Sequence, residues 1–177
     1  MTVRIEKLTE FKNADLTELV QATEDAIRDG IGFNWMLPPG HDILEKYWNG
    51  VLVVRDRVLF VGRLDGTLAG SIQLLKPGIS KETSSFAASL DAHFVAPWAR
   101  GHGLAKLLME AAEREARSLG FSVLKLSVRQ TQEAAISLYE EMGYIRWGTL
   151  PAYEYVGAQM IAGHFYYKNL DPITSLV

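Results

Sequence analysis

The stretch from Phe86 to Gly120 limits what this chain can become, because it commits to a strand, a glycine-bearing turn and a helix in that order. The run Phe94-Val95-Ala96-Pro97-Trp98-Ala99-Arg100-Gly101-His102-Gly103-Leu104-Ala105 carries the change. From Leu104 onward, Leu107, Leu108, Ala111 and Ala112 recur at helical spacing, and Lys106, Glu110, Glu113, Arg114 and Arg117 supply a polar face. Gly120 stands where a C-cap glycine belongs. A helix that starts this way presents unpartnered amides and the positive end of its dipole. Gly101 and Gly103 bring no side chain that would keep a ligand off the backbone, and Arg100 adds a permanent cation. The combination suits a phosphate or pyrophosphate. A loop with two turn glycines and a solvated arginine is the alternative.

A second block bears on that choice. Arg100-Gly101-His102-Gly103-Leu104-Ala105 resembles the R/Q-x-x-G-x-G/A motif of the GNAT superfamily of acyl-CoA-dependent N-acyltransferases. Gln132-Glu133-Ala134-Ala135-Ile136-Ser137-Leu138-Tyr139-Glu140-Glu141-Met142-Gly143-Tyr144 resembles its second signature, N-x-x-A-x-x-L-Y-x-x-x-G-F/Y. The two blocks stand in register, and the clear likeness runs from about residue 86 to 147. It implies an α/β (mixed, α+β-like) fold: a twisted, mostly antiparallel sheet of six to seven strands flanked by about four helices. It also implies a single GNAT N-acetyltransferase domain over residues 1–177.

Composition excludes several other chemistries. The chain has no cysteine, which removes disulfides, thiolate metal sites and a cysteine nucleophile. Its net charge of −3 argues against a dominant nucleic-acid surface. No apolar run approaches the roughly 20 residues that cross a bilayer, and Met1 to Glu10 lacks the apolar core of a signal peptide. A cytoplasmic protein that touches neither membrane nor nucleic acid is expected.

Read in order, Val3–Leu8 alternates as a first strand, and Asp15 is the expected N-cap of a helix through about Arg28. Gly30 and Gly32 punctuate the chain, and a second helix is expected from Asp42. The region from 30 to 48, rich in large apolar side chains, is either local core or a wall of an acceptor cleft. Asp65-Gly66 between the runs Arg57–Leu64 and Thr67–Leu75 predicts a β-hairpin. Lys81 to Ser84 cover an exposed loop before the strand that ends at Val95. Ser122–Val128 is the next strand, followed by a helix over Glu133–Met142 that Gly143 closes. Tyr144–Gly148 and Ile161–Leu170 read as the last strands, with Pro151 to Met160 as a loop between them.

Acyl transfer from a thioester to an amine needs a positioned carbonyl, a neutral amine and a stabilised thiolate. The resemblance implies acetyl-CoA as the donor. Its pantetheine arm would lie along the backbone of Phe94 and Val95, beside a splayed strand ending at Val128. Its pyrophosphate would lie over Gly101, His102, Gly103, Leu104 and Ala105, with Arg100 and Lys106 nearby and His102 contributing main chain. Tyr139, at the signature tyrosine position, is both a cofactor contact and the expected general acid; the alternative is a half-buried core tyrosine. Gln132 replaces the usual asparagine, keeps an amide for the cofactor arm and caps poorly, so Thr131 is the substitute cap. For the base, alternation puts Ser89, Asp91, His93 and Val95 on one face. Asp91 is the expected base, with His93 or a water chain as alternatives. No metal is expected.

Leu150-Pro151-Ala152-Tyr153-Glu154-Tyr155 resembles a stretch of some small-molecule GNAT enzymes, including the tabtoxin-resistance acetyltransferase group. Tyr153, Glu154 and Tyr155 would frame an amine there, or else form an ordinary hairpin loop. The expected activity is transfer of an acetyl group directly to a primary amine of a small molecule. A protein or peptide acceptor, or a non-catalytic acyl-CoA-binding regulatory module, is the alternative. A homodimer is left open.

Overall fold

The computed structural model describes residues 1–31 and 33–170. Gly32 and the end of the expected domain, residues 171–177, lie outside the described residues. Strand β1 (Val3–Leu8) leads to helices α1 (Asp15–Arg28) and α2 (His41–Val53). Then come β2 (Arg57–Leu64), β3 (Thr67–Leu75), β4 (Ala87–Val95), α3 (Leu104–Ser118), β5 (Val123–Arg129) and α4 (Glu133–Glu141). The hairpin β6 (Ile145–Val156) and β7 (Gln159–Asn169) closes the series. The strands form one sheet in the order β1-β2-β3-β4-β5-β7-β6, and only the β4–β5 pairing is parallel. Among the described residues this is the expected mixed α/β sheet of seven strands and four α-helices.

Two apolar layers hold the sheet. Leu104, Leu108, Met109, Ala112 and Ala116 of α3 pack with Ile72, Leu74, Leu90, Val95, Leu124 and Leu126 on one face. Leu19, Val20, Ala26, Leu44 and Trp48 of α1 and α2 pack with Leu59, Val61, Ala92 and Phe94 on the other. Asp65 and Gly66 both adopt positive φ, at 49° and 88°, the turn that suits a two-residue hairpin. Gly120 ends α3 with φ 87°, and Phe121 N–H returns to the Ala116 carbonyl.

Several expectations need correcting. Asp15 is the first residue of α1 rather than its cap; its carboxylate accepts the Lys12 amide and pairs with Arg63. Glu113 does not lie on a solvated face. It is buried against the Tyr144 hydroxyl and Lys168, whereas Leu107 is exposed. The expected loop from Pro151 to Met160 is mostly strand. β6 continues to Val156 and turns only at Gly157-Ala158. Between Leu150 and Glu154 the β6 register slips against β7, so Pro151 is accommodated on an irregular edge strand that does not need its missing N–H.

The decisive departure is in β4. Phe94 pairs with Ser71 and Asp91 with Gln73, so β4 spends one more residue than β3 over the same span. The extra residue is Ala92, at φ 47°. This β-bulge breaks the alternation. Asp91 opposes Gln73, which donates to the Tyr47 hydroxyl of α2. His93 instead faces α3, as does Val95, while Ala92 and Phe94 join the α1–α2 core. Ser89 and Asp91 therefore do not share a face with His93 and Val95.

Candidate active site

β4 and β5 pair only from Ala87 to Ser89 against Val123 to Lys125. Beyond that point they part, and the edge of β4 from Leu90 to Val95 is free on the β5 side. The opening holds two adjoining cavities. One is a cleft of about 510 Å³ bordered by Phe94, Val95, the Arg100–Ala105 turn and the start of α4. The other, about 280 Å³, is bordered by Trp35, Tyr47, Asp91, Tyr139, Tyr153 and Glu154 among others. Ile31, His93, Gln132 and Ala135 line both, so they mark the passage between them. The first cavity is set between the helices α3 and α4. The second is walled by the α1–α2 layer and by β6.

At the cleft, Gly101 and Gly103 take φ of 82° and 80°, and no side chain caps α3. Among the described residues, no amide from Gly101 to Lys106 has a backbone acceptor. Gly101, Gly103, Leu104 and Ala105 of this run border the cleft, which is the make-up of an anion cradle. A Cβ built on Gly103 meets nothing within 4 Å, so the left-handed backbone is what requires glycine there. Leu104 and Ala105 line the cleft; the His102 side chain does not. Lys106 also points elsewhere, 3.8 Å from Glu141. Arg100 lines the cleft with its guanidinium 2.6 Å from Asp29, at the end of α1.

Where the cavities meet, His93 donates Nε2–H to the Ala105 carbonyl at 3.0 Å, since a carbonyl can only accept. Its Nδ1 is therefore the acceptor, and the Tyr139 hydroxyl donates to it at 2.9 Å. Burial pushes His93 down to about 4, only partly offset by the Ala105 hydrogen bond. Burial also raises the Tyr139 phenol well above its ordinary range. The pair is neutral and desolvated. Tyr139 is buried in the core rather than half-buried, and it borders the smaller cavity.

Asp91 borders the second cavity from the other face. Its Oδ1 accepts the Ala92 amide at 2.8 Å and its Oδ2 lies 3.5 Å from Arg57 Nη1. The carboxylate is about half exposed. The bulge thus lets one strand present Asp91 and His93 to the same opening from opposite layers.

Two residues have roles the sequence did not announce. Arg129, buried at the end of β5, donates to Glu154 Oε2 and to the carbonyls of Gly30 and Phe33 at 3.1 Å each. Gln132 donates its amide to the Gly30 carbonyl at 2.7 Å, so its side chain caps no helix. Thr131 is not the cap residue either. Arg129 and Gln132 clasp the chain after α1 across the passage. The only available signal was an arginine ending an apolar strand, which ordinarily reads as solvated. Tyr153 and Glu154 do border the cavity, with Tyr153 OH 2.7 Å from Ser127 Oγ, but Tyr155 is exposed and does not. The region after α1 is both core and wall: Phe33 and Trp48 are buried, while Trp35 and Tyr47 line the cavity.

The chain matches the profile of the acetyltransferase (GNAT) family over residues 17–144. It is 54% identical over 130 residues to an uncharacterized N-acetyltransferase from the hisH-hisA intergenic region of Azospirillum brasilense, spanning 73% of this chain and 77% of that one. The fold resembles an N-acetyltransferase from Staphylococcus aureus Mu50, with a TM-score of 0.82, 21% identity and coverage of 97% and 100%. It also resembles a GNAT superfamily phosphinothricin acetyltransferase from Sinorhizobium meliloti solved with AcCoA, with a TM-score of 0.79, 17% identity and coverage of 100% and 92%.

Proposed function

Because the chain belongs to the GNAT acetyltransferase family, we propose that it moves the acetyl group of acetyl-CoA directly to a primary amine of a small molecule. Residues 1–177 act in this reading as one N-acetyltransferase domain in the cytoplasm. The observation that carries it is the opening between β4 and β5, where an anion cradle and a second, smaller cavity meet beside the His93–Tyr139 pair. The free β4 edge at Phe94 and Val95 takes the pantetheine as an added strand. The amides from Gly101 to Ala105, with Arg100, take the pyrophosphate. Gln132 borders the cofactor arm, but its amide is already engaged with Gly30.

Asp91 attracts the acceptor ammonium and takes its proton through water. The neutral nitrogen attacks the thioester carbonyl, the resulting tetrahedral intermediate gives its extra N–H proton to solvent, and the C–S bond breaks as it collapses to amide and CoA thiolate. Tyr139 receives the departing thiolate by turning its O–H from His93 Nδ1 to the sulfur. Its raised pKa makes complete transfer to a thiolate of ordinary acidity uphill, so Tyr139 acts as a hydrogen-bond donor rather than as a full proton donor. The small acceptor is favoured by a second cavity of only about 280 Å³.

The test is thiol release from acetyl-CoA against a panel of small amines and peptides. Turnover confined to small amines is expected. A preference for peptides would replace the acceptor class. Acetyl-CoA binding without turnover of any amine would make the chain an acyl-CoA-binding module.

A further inference from the structure

We infer that the acceptor is a primary monoamine with an aromatic body; this rests on the transferase reading above. The walls of the smaller cavity are aromatic on two sides. Trp35 and Tyr47 meet edge-on with centroids 5.5 Å apart and planes at 84°. Opposite them, Tyr153 lies over Gly163 so closely that a Cβ there would come within 2.2 Å of the ring. Glycine at 163 therefore seats this tyrosine flat on β7. Its ring meets Phe165 edge-on at 5.8 Å, and Phe165 lies 5.5 Å from Trp147. An aromatic row thus leads from the cavity across the outer part of the sheet, ending on a largely exposed tryptophan.

Among the described residues, the charged and hydroxyl groups of the cavity are largely engaged with one another, and the exposed Asn34 amide adds no charge. Glu154 is neutralised by Arg129, Ser127 pairs with Tyr153, and His93 pairs with Tyr139. Asp91 alone is left to meet an ammonium, with Arg57 moderating its charge from behind. A second ammonium would find no counter-charge, and a carboxylate on Arg129 would crowd the Glu154 carboxylate. Either group would be desolvated without full compensation. An aromatic body gains ring contacts from Trp35, Tyr47 and Tyr153 instead.

The experiment compares 2-phenylethylamine with L-phenylalanine, the same body plus a carboxylate, and with 1,4-diaminobutane. kcat/KM for 2-phenylethylamine should exceed both others by at least about 10-fold. Trp35→Ala should raise KM for 2-phenylethylamine about 10-fold while leaving a short alkylamine within about twofold. Trp35→Leu provides the same comparison if the alanine variant does not fold. A preference for the diamine or the amino acid overturns the inference, as does an equal effect of Trp35 replacement on every amine. Calorimetry of 2-phenylethylamine on the CoA-bound protein separates the two readings. Binding without acetyl transfer defeats the transferase reading and keeps the aromatic site. Turnover without aryl preference defeats the aromatic site and keeps the transferase.

Discussion

Replacing His93 by glutamine should flatten the fall in stability that acid causes. In the folded chain the ring is enclosed between Tyr139 and the Ala105 carbonyl, and burial holds its pKa at about 4 against an ordinary 6.5. Near neutral pH the ring is uncharged whether folded or unfolded, so it sets no pH dependence there. As pH falls through about 6.5, the unfolded chain takes up a proton that the folded chain refuses, and stability is lost. The loss is complete near pH 4, where the folded ring also protonates. At about 1.4 kcal/mol for each tenfold difference in proton affinity, it amounts to about 3 kcal/mol. Glutamine has a donor and an acceptor for the same two partners but no charge to gain. Urea unfolding of both proteins between about pH 7.5 and pH 4 gives the difference, in which the carboxylates common to both cancel. The wild type should lose about 3 kcal/mol more than His93→Gln. Parallel pH profiles would mean that the ring titrates normally, and the assignment of a neutral acceptor for Tyr139 would fall.

Tyr139→Phe keeps the ring but removes the hydroxyl that would meet the thiolate, so kcat should fall roughly 10- to 1000-fold with acetyl-CoA affinity nearly unchanged. An unaltered kcat, measured where chemistry limits the rate, assigns Tyr139 to packing alone. Gly103→Val forces a β-branched residue to φ 80° in the cradle; the folded variant should lose acetyl-CoA affinity by calorimetry, and retained affinity would move the pyrophosphate elsewhere. Asp91→Asn should lower kcat/KM at neutral pH and recover part of it at high pH, where solvent supplies neutral amine; a wild-type pH profile would make Asp91 structural. Asp29→Asn frees Arg100 from its 2.6 Å partner, and acetyl-CoA should bind a few-fold more tightly at low salt, an effect that must vanish in an Arg100→Ala background.

Much of this was legible because local rules and the fold agreed. Asp65-Gly66 could only turn a hairpin, and the spacing of Leu104, Leu108, Ala111 and Ala112 could only bury one side of a helix. Ala92 was not legible. A bulge marked by neither glycine nor proline leaves the local pattern intact while reversing every side chain after it, so the common face drawn through Ser89, Asp91 and His93 failed. Pro151 misled in the opposite direction, since an irregular edge strand tolerates a residue that a central strand would reject. Arg129 and Gln132 were opaque for a different reason. Their partners at Gly30 and Phe33 lie about a hundred positions away, and no periodicity records a contact made only when the sheet is assembled.

The parting of β4 from β5 gives the molecule a corridor with two doors. One opens between the helices that form the anion cradle, the other among the aromatic rings beyond the opposite layer. Among the described residues, Ile31, His93, Gln132 and Ala135 are the only lining the two have in common. In the transfer proposed above, donor and acceptor would be held together, each in its own cavity. In that transfer, this arrangement passes the acyl group directly from donor to acceptor.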